Sequence, residues 1–407
     1  MRPFLFAALL FIGGAPAASA QYLFGSLDQD TPVEVQEITA LAMGDAVTAV
    51  PSPQTAFFSN PAHLTSLKGF RITVLGAQAG IGGNFRETYD FYADELGPAI
   101  EDGLDTLDDD DLQRLYAETL EIGRDQKTAD VAVELAAMQF SAGPLAVGIG
   151  GFANARARAK LTDTGAGIPF LDAYSQADFL VPVVAAMDVP GTPLSVGASA
   201  AYVERRVTAK AAFVDALDPD GEKAYLLGGN GVVVGAGVTA RDVGLPGLSL
   251  GMALSNIGGV STLTFDRSWA ISGSDDAPDD AAEIAELEAR FASRETTPVL
   301  RLGTAYSLPL STLSPVRDVT LAADWISGST SEFDQALEAG IRVGAQAKLL
   351  GFLELRGGLA QGYPTAGIGL DLKVLRLDYA TYSVEDGRTL GQLERRNHVV
   401  QVRLGIL

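Results

Sequence analysis

No cysteine occurs anywhere in the 407 residues, so disulfides, acylation at a cysteine, thiolate nucleophiles and cysteine-based metal sites are all excluded. Basic charge is scarce as well: 29 Lys and Arg stand against 51 Asp and Glu, a formal net charge of −22. Phosphate binding needs clustered cations, so nucleic acid is excluded as a partner. Histidine is nearly missing, with His63 and His398 the two that occur. Long apolar runs are missing too. After the first twenty residues no stretch of about eighteen uncharged apolar residues appears, which removes helical membrane spans although 47% of residues are hydrophobic.

The one concentrated apolar stretch lies at the start. Arg2, the apolar residues 4–12 and the small residues Ala18-Ser19-Ala20 before Gln21 read as a cleavable secretory signal, so residues 1–20 are set aside from the fold. The acid is concentrated in two patches. Residues 87–130 hold fifteen Asp or Glu against three Lys or Arg, and residues 275–288 hold seven acids and no base. Such patches suit solvated excursions from an apolar scaffold.

Elsewhere the apolar content alternates with period two. Val400, Val402, Leu404 and Ile406 fall on one face of a strand, with Gln401, Arg403 and Gly405 on the other. Leu375, Leu377 and Tyr379 oppose Arg376 and Asp378; Leu353 and Leu355 oppose Glu354 and Arg356; Leu300 and Leu302 flank Arg301. In a soluble sandwich the charges would face water outside; in a membrane barrel they would face a polar lumen.

Fourteen strands are expected, at 70–80, 129–141, 144–154, 177–187, 193–209, 231–240, 247–257, 298–308, 317–326, 337–349, 351–359, 365–373, 374–384 and 398–407. Connections after odd-numbered strands are long and those after even-numbered strands are tight, as an outer-membrane barrel requires and a sandwich does not. Both acidic patches fall in the two longest connections, 81–128 and 258–297. Helical spacing of Leu104, Leu107, Leu112, Leu115, Leu120 and Ile122, and of Ile284, Leu287 and Phe291, predicts short amphipathic helices there, with Asp279 and Asp280 suited to a helix start.

The run Ala40-Leu41-Ala42-Met43-Gly44-Asp45-Ala46-Val47, followed by Phe57-Phe58-Ser59-Asn60-Pro61-Ala62-His63-Leu64, resembles the N-terminal signature of the outer-membrane long-chain fatty acid transporter (FadL-like) superfamily, which also holds PorV-like and TraF-like members. Asp45 and His63 each stand where glycine is usual in that signature. The segment Gly367-Ile368-Gly369-Leu370-Asp371-Leu372 through Leu377-Asp378-Tyr379-Ala380-Thr381-Tyr382 is similar to the penultimate hairpin of PorV-like and TraF-like members, and Ser255-Asn256-Ile257-Gly258 to a mid-barrel strand end. The resemblance implies a fourteen-stranded barrel whose N-terminal segment folds into the lumen as a hatch.

Among candidate sites, Asn60-Pro61-Ala62-His63 is the first. Pro61 fixes its own φ and holds Asn60 extended, while the Asn side chain can bond nearby backbone, so a rigid turn results that either pins the hatch to the wall or gates the lumen. His63 and His398 are far apart in sequence and no G-x-S-x-G elbow occurs, so no enzyme activity and no catalytic residue is expected. Asp108 to Asp111 and Asp218-Pro219-Asp220-Gly221-Glu222 lack the twelve-residue calcium-loop pattern and are read as solvated acid, leaving neither metal nor cofactor expected. Gly148-Ile149-Gly150-Gly151 and Gly235-Ala236-Gly237 have no phosphate-loop lysine or spacing and are read as relief of crowding where the hatch approaches the wall.

The expectation is therefore an all-β, antiparallel, transmembrane outer-membrane β-barrel: signal 1–20, hatch or plug 21–69, barrel 70–407. The protein is expected to be a monomer in outer-membrane lipid that binds or passes a hydrophobic small molecule, with Arg301, Glu354, Arg356, Arg376 and Asp378 lining the lumen. The alternative is a PorV-like or TraF-like accessory of protein secretion or conjugal transfer that docks envelope partner proteins.

Overall fold

The computed structural model describes residues 33, 35–103, 106–123, 125–163, 169–213, 225–265, 293–295, 298–310, 315–327, 337–386 and 390–406. The leader, the Asp218–Glu222 turn and the helices expected around 284–291 lie outside the described residues.

Fourteen long strands follow one another in chain order: β1 Gly69–Gly82, β2 Lys127–Ala142, β3 Leu145–Asp163, β4 Pro169–Asp188, β5 Leu194–Phe213, β6 Tyr225–Arg241, β7 Leu248–Phe265, β8 Val299–Pro309, β9 Val316–Ile326, β10 Ile341–Leu349, β11 Leu353–Ala360, β12 Tyr363–Asp371, β13 Leu375–Glu385 and β14 Glu394–Ile406. Each pairs antiparallel with its neighbours in sequence, and β1 closes on β14 in the register Ile72 to Ile406 and Gln78 to Gln401. Closure satisfies every strand edge, which a β structure in hydrocarbon must do.

The two faces are inverted relative to a soluble protein. Along β14, Asn397, Val399, Gln401 and Arg403 are buried while Val400, Val402, Leu404 and Ile406 point outward. Arg403 is 2% exposed and Val402 42%. The same outward aliphatic row recurs as Val147, Val183, Val232, Met252, Leu302, Leu321, Val343, Leu355, Ile368 and Leu377 on ten further strands, a continuous apolar belt that water would not tolerate and lipid requires. Among the described residues no helix is long and apolar enough to cross a membrane; the strands do the crossing.

The wall is lopsided. Strands β3 to β6 run for 19, 20, 20 and 17 residues, whereas β10 to β12 have 9, 8 and 9. About 10 residues cross a bilayer, and the turns at one rim are tight, so the surplus projects from the opposite rim by up to roughly 30 Å along each strand. Residues 155–163, 169–176, 210–213 and 225–230, expected as parts of loops, are thus strand. The segment Ala153-Asn154-Ala155-Arg156-Ala157-Arg158-Ala159-Lys160 alternates, but with alanine in place of large aliphatics, because above the membrane no lipid demands them. A second departure is at Asn256 and Gly258, whose φ angles of 57° and 103° kink β7 instead of ending it. Beyond Ser255, which pairs with Val299 of β8, β7 pairs with the short strand Ser293–Glu295.

In the first long connection Leu112, Leu115, Leu120 and Ile122 fall in one helix as their spacing predicts, whereas Leu107 lies outside a helix and Leu104 outside the described residues. Phe85–Phe91, Gly97–Asp102 and Asp109–Gly123 are helical, and Leu115 and Phe91 are buried beneath the last of them. Asp108 Oδ1 accepts the Asp111 amide at 2.8 Å, so the first acid of the Asp108 run is a helix cap.

Candidate functional site

Residues 35–67 run through the inside of the ring. Pro51, Pro53 and Pro61 prevent any long helix here, and the segment forms only α1 Ile38–Ala42, α2 Thr55–Phe58 and a 3-10 turn Pro61–Ser66. Asn60 is the cap of that turn: its Oδ1 accepts the Ala62 amide at 3.1 Å while its Nδ2 donates to the Thr48 carbonyl at 2.9 Å and to Thr239 Oγ1 of β6 at 3.2 Å. Pro61 occupies the first helical position, where a missing N–H costs nothing. Asn60, Ala62 and His63 are fully buried.

What lets the segment lie so close is a row of inward glycines on successive strands. A Cβ on Gly197 of β5 would sit 2.5 Å from the Pro61 carbonyl carbon; on Gly237 of β6, 2.1 Å from Asn60 Oδ1; on Gly251 of β7, 2.2 Å from the Thr48 oxygen. On β8, β10, β11 and β12, Gly303, Gly344, Gly358 and Gly367 stand against Thr48, Met43, Met43 again and Ala42. Of the glycine runs singled out by sequence, Gly148 and Gly237 face the segment, while Gly150 and Gly235 make room for Phe152 and Ser199 of the wall itself.

Asp45 sits at φ 63°, next to Gly44 at 64°, the left-handed conformation that accounts for a usual glycine. Its carboxylate answers Arg301 Nη1 of β8 at 2.9 Å. Three positions on, the Thr48 amide donates to Asp324 Oδ2 of β9 at 2.7 Å. Arg301 is therefore buried against the segment, apart from Glu354, Arg356, Arg376 and Asp378. Asp45 and Asp324 were not legible as a pair of anchors; the one hint was Asp45 replacing a usual glycine.

His63 and His398 lie on opposite sides of the wall. His63 is enclosed, with Nδ1 3.1 Å from Thr55 Oγ1, and burial lowers its pKa to about 4, so the imidazole is neutral at physiological pH. His398 points outward and stacks on Tyr379, Nδ1 2.8 Å from the phenol oxygen. Because the folded-state value of His63 lies below the 6.5 of an unfolded chain, docking of the segment is at full strength above about pH 6.5 and weakens as pH falls toward 4, by about 3 kcal/mol in all. Urea unfolding followed between pH 7 and 4 should show this slope in the parent and lose most of it in His63→Gln.

Glu354, Arg356, Arg376 and Asp378 come together as one network on β11 and β13. Arg356 bonds Asp378 Oδ1 at 2.9 Å and also Glu354; Arg376 bonds Glu354 Oε2 at 2.6 Å and Asp378 Oδ2 at 2.8 Å. Gly369 of β12 leaves the space they occupy, since a Cβ there would meet Asp378 Oδ1 at 2.5 Å. These four side chains pair with one another, so they tie wall strands together more than they present free charge. Across the lumen the inner wall is apolar: Phe152, Leu180 and Val203 lie in register on β3 to β5, and Phe57 and Phe58 pack edge-on against Phe152 at 5.5 and 5.0 Å.

No family model and no curated protein sequence matches the chain. Solved structures do. The Ralstonia pickettii toluene transporter TbuX shares 14% identity over 92% of this chain and 99% of its own, with a TM-score of 0.54. The Pseudomonas putida toluene transporter TodX shares 14% over 93% and 98% at 0.50, and the monoaromatic hydrocarbon channel CymD 13% over 91% and 96% at 0.50. The chain thus has the outer-membrane transporter fold that these proteins share, a closed fourteen-stranded barrel, across nearly its whole length.

Proposed function

We propose that this barrel passes a hydrophobic small molecule across the outer membrane, with the N-terminal segment as the hatch that closes the lumen and Asn60-Pro61-Ala62-His63 as the hinge of its contact with β5 and β6. The observation that carries it is the apolar inner wall of Phe152, Leu180 and Val203 meeting Phe57 and Phe58 of the segment, inside a barrel that elsewhere buries charged residues such as Arg205, Arg301, Glu354, Arg356 and Arg403. An apolar solute crossing the lumen would meet that wall first and the segment next. The neighbours in fold whose names describe toluene and monoaromatic hydrocarbon transport support the same substrate class. A non-enzymatic role agrees with two histidines that cannot share a site.

The chain offers a clean test because it has no cysteine. Thr65 Oγ1 lies 3.1 Å from Ser195 Oγ, so Thr65→Cys with Ser195→Cys places two sulfurs within bonding reach. Oxidised, this pair should slow toluene uptake into cells or vesicles by at least tenfold, and reduction should restore it. Equal uptake in both states would refute a moving hatch. Deletion of the protein with no change in hydrocarbon uptake, together with co-purified envelope proteins, would instead favour the docking role suited to its exposed acidic helices.

A further inference from the structure

A cavity of about 380 Å³ lies between the N-terminal segment and the tight-turn rim, on the side of the lumen opposite the apolar wall. Among the described residues its charges fall into two groups. Lys348 pairs with Asp371 at 3.3 Å and Glu354 at 3.5 Å, and Arg376 with Glu354 and Asp378, so these cations are answered. Arg71 of β1 and Arg403 of β14 are not. Neither has a carboxylate within ion-pair distance among the described residues, and the Nε of each is buried with no hydrogen-bond partner. Glu134 of β2 flanks Gly76 together with Arg403 and attracts it without reaching ion-pair distance, while its Oε2 accepts from Gln54 Nε2 at 3.1 Å.

A guanidinium that is 2% exposed and unpaired, as Arg403 is, carries a desolvation cost that an oxyanion would remove, and its planar fork suits a carboxylate or phosphate. Glu37 also borders the cavity, with Ser52 Oγ donating to it at 2.6 Å. Two unanswered cations against one such acid favour a monoanion over a doubly charged phosphate. Of the uncharged boundary, Val47, Val50, Pro51, Pro53 and Leu67 are apolar, and Thr39, Ser52, Thr55 and Gln346 are neutral polar groups. We propose that this chamber binds a small carboxylic acid with a compact apolar body, its carboxylate held by Arg71 and Arg403 and its body against the Val50-Pro51 loop. The volume suits a single-ring acid.

The site stands independently of hydrocarbon passage. The test is calorimetric titration of the full chain in detergent with benzoate, with inorganic phosphate and toluene as comparison probes. Benzoate should bind saturably and more tightly than phosphate; Arg71→Gln and Arg403→Gln should each weaken it at least tenfold, with Arg403→Lys between parent and Arg403→Gln. Heat-modifiable migration on gels confirms that each variant is a folded barrel, and Arg71→Gln, being only half-buried, remains informative should Arg403→Gln fail to fold. No saturable benzoate binding, tighter binding of phosphate, or affinity unchanged in a folded Arg71→Gln variant would each overturn the proposal. A parent protein that carries toluene but binds no benzoate would sink this site and leave the transport role standing.

Discussion

Gly197→Val and Gly251→Val are each expected to push the N-terminal segment off the wall and turn a closed barrel into a leaky one. The atoms nearest an added Cβ are backbone of the segment at both sites: Pro61 and Ala62 at 2.5 to 2.7 Å for Gly197, Thr48 and Ala49 at 2.2 to 3.1 Å for Gly251. Backbone cannot swing aside as a flexible side chain can. Overpacking of this kind costs about 1–3 kcal/mol or more, and the segment can escape it by leaving its seat whereas a hydrogen-bonded strand cannot. In planar bilayers the single-channel conductance should rise at least tenfold, and residues 35–67 should become open to protease. Gly357→Ala is the control. Its Cβ would approach nothing closer than the Thr365 oxygen at 3.7 Å, so conductance and stability should match the parent. Parental conductance in both valine variants would mean that the segment does not seal the lumen.

The second large effect is at Asp378. Replacing it by Asn leaves Arg356 and Arg376 sharing Glu354 alone, in a place where all the partners are buried or nearly so. Breaking a buried ion pair from one side costs about 3–5 kcal/mol, so the urea midpoint of the variant should fall clearly. Replacing Arg356 and Asp378 together by Met should recover much of that loss, because Glu354 and Arg376 then still pair and no charge is orphaned. A double variant as unstable as Asp378→Asn would show that shape, not charge balance, holds this part of the wall.

Much of this architecture could be read before any coordinates. Each of the fourteen expected segments overlaps one observed strand, since lipid on one side and a polar lumen on the other force an alternation that leaves its mark on every pass. Glu354, Arg356, Arg376 and Asp378 were legible for the same reason, as charges opposite leucines. The heights of β3 to β6 were not, because above the bilayer the aliphatic mark fades to alanine. Nor were the partners of Arg301: Asp45 lies 256 positions away, and only the closed ring brings the two within 2.9 Å.

By itself, then, the chain's pattern of alternation determined where the strands lie and which side chains share a face, for those are local consequences of a period of two, and the alternation of long with short connections pointed to a barrel with the charges inside. Only the tertiary structure decided which charges answer one another and which, at Arg71 and Arg403, are left unanswered. It also decided that seven glycines on separate strands form one seat for a segment of the same chain. Pairing and close approach depend on distances across the lumen, and no local period records those.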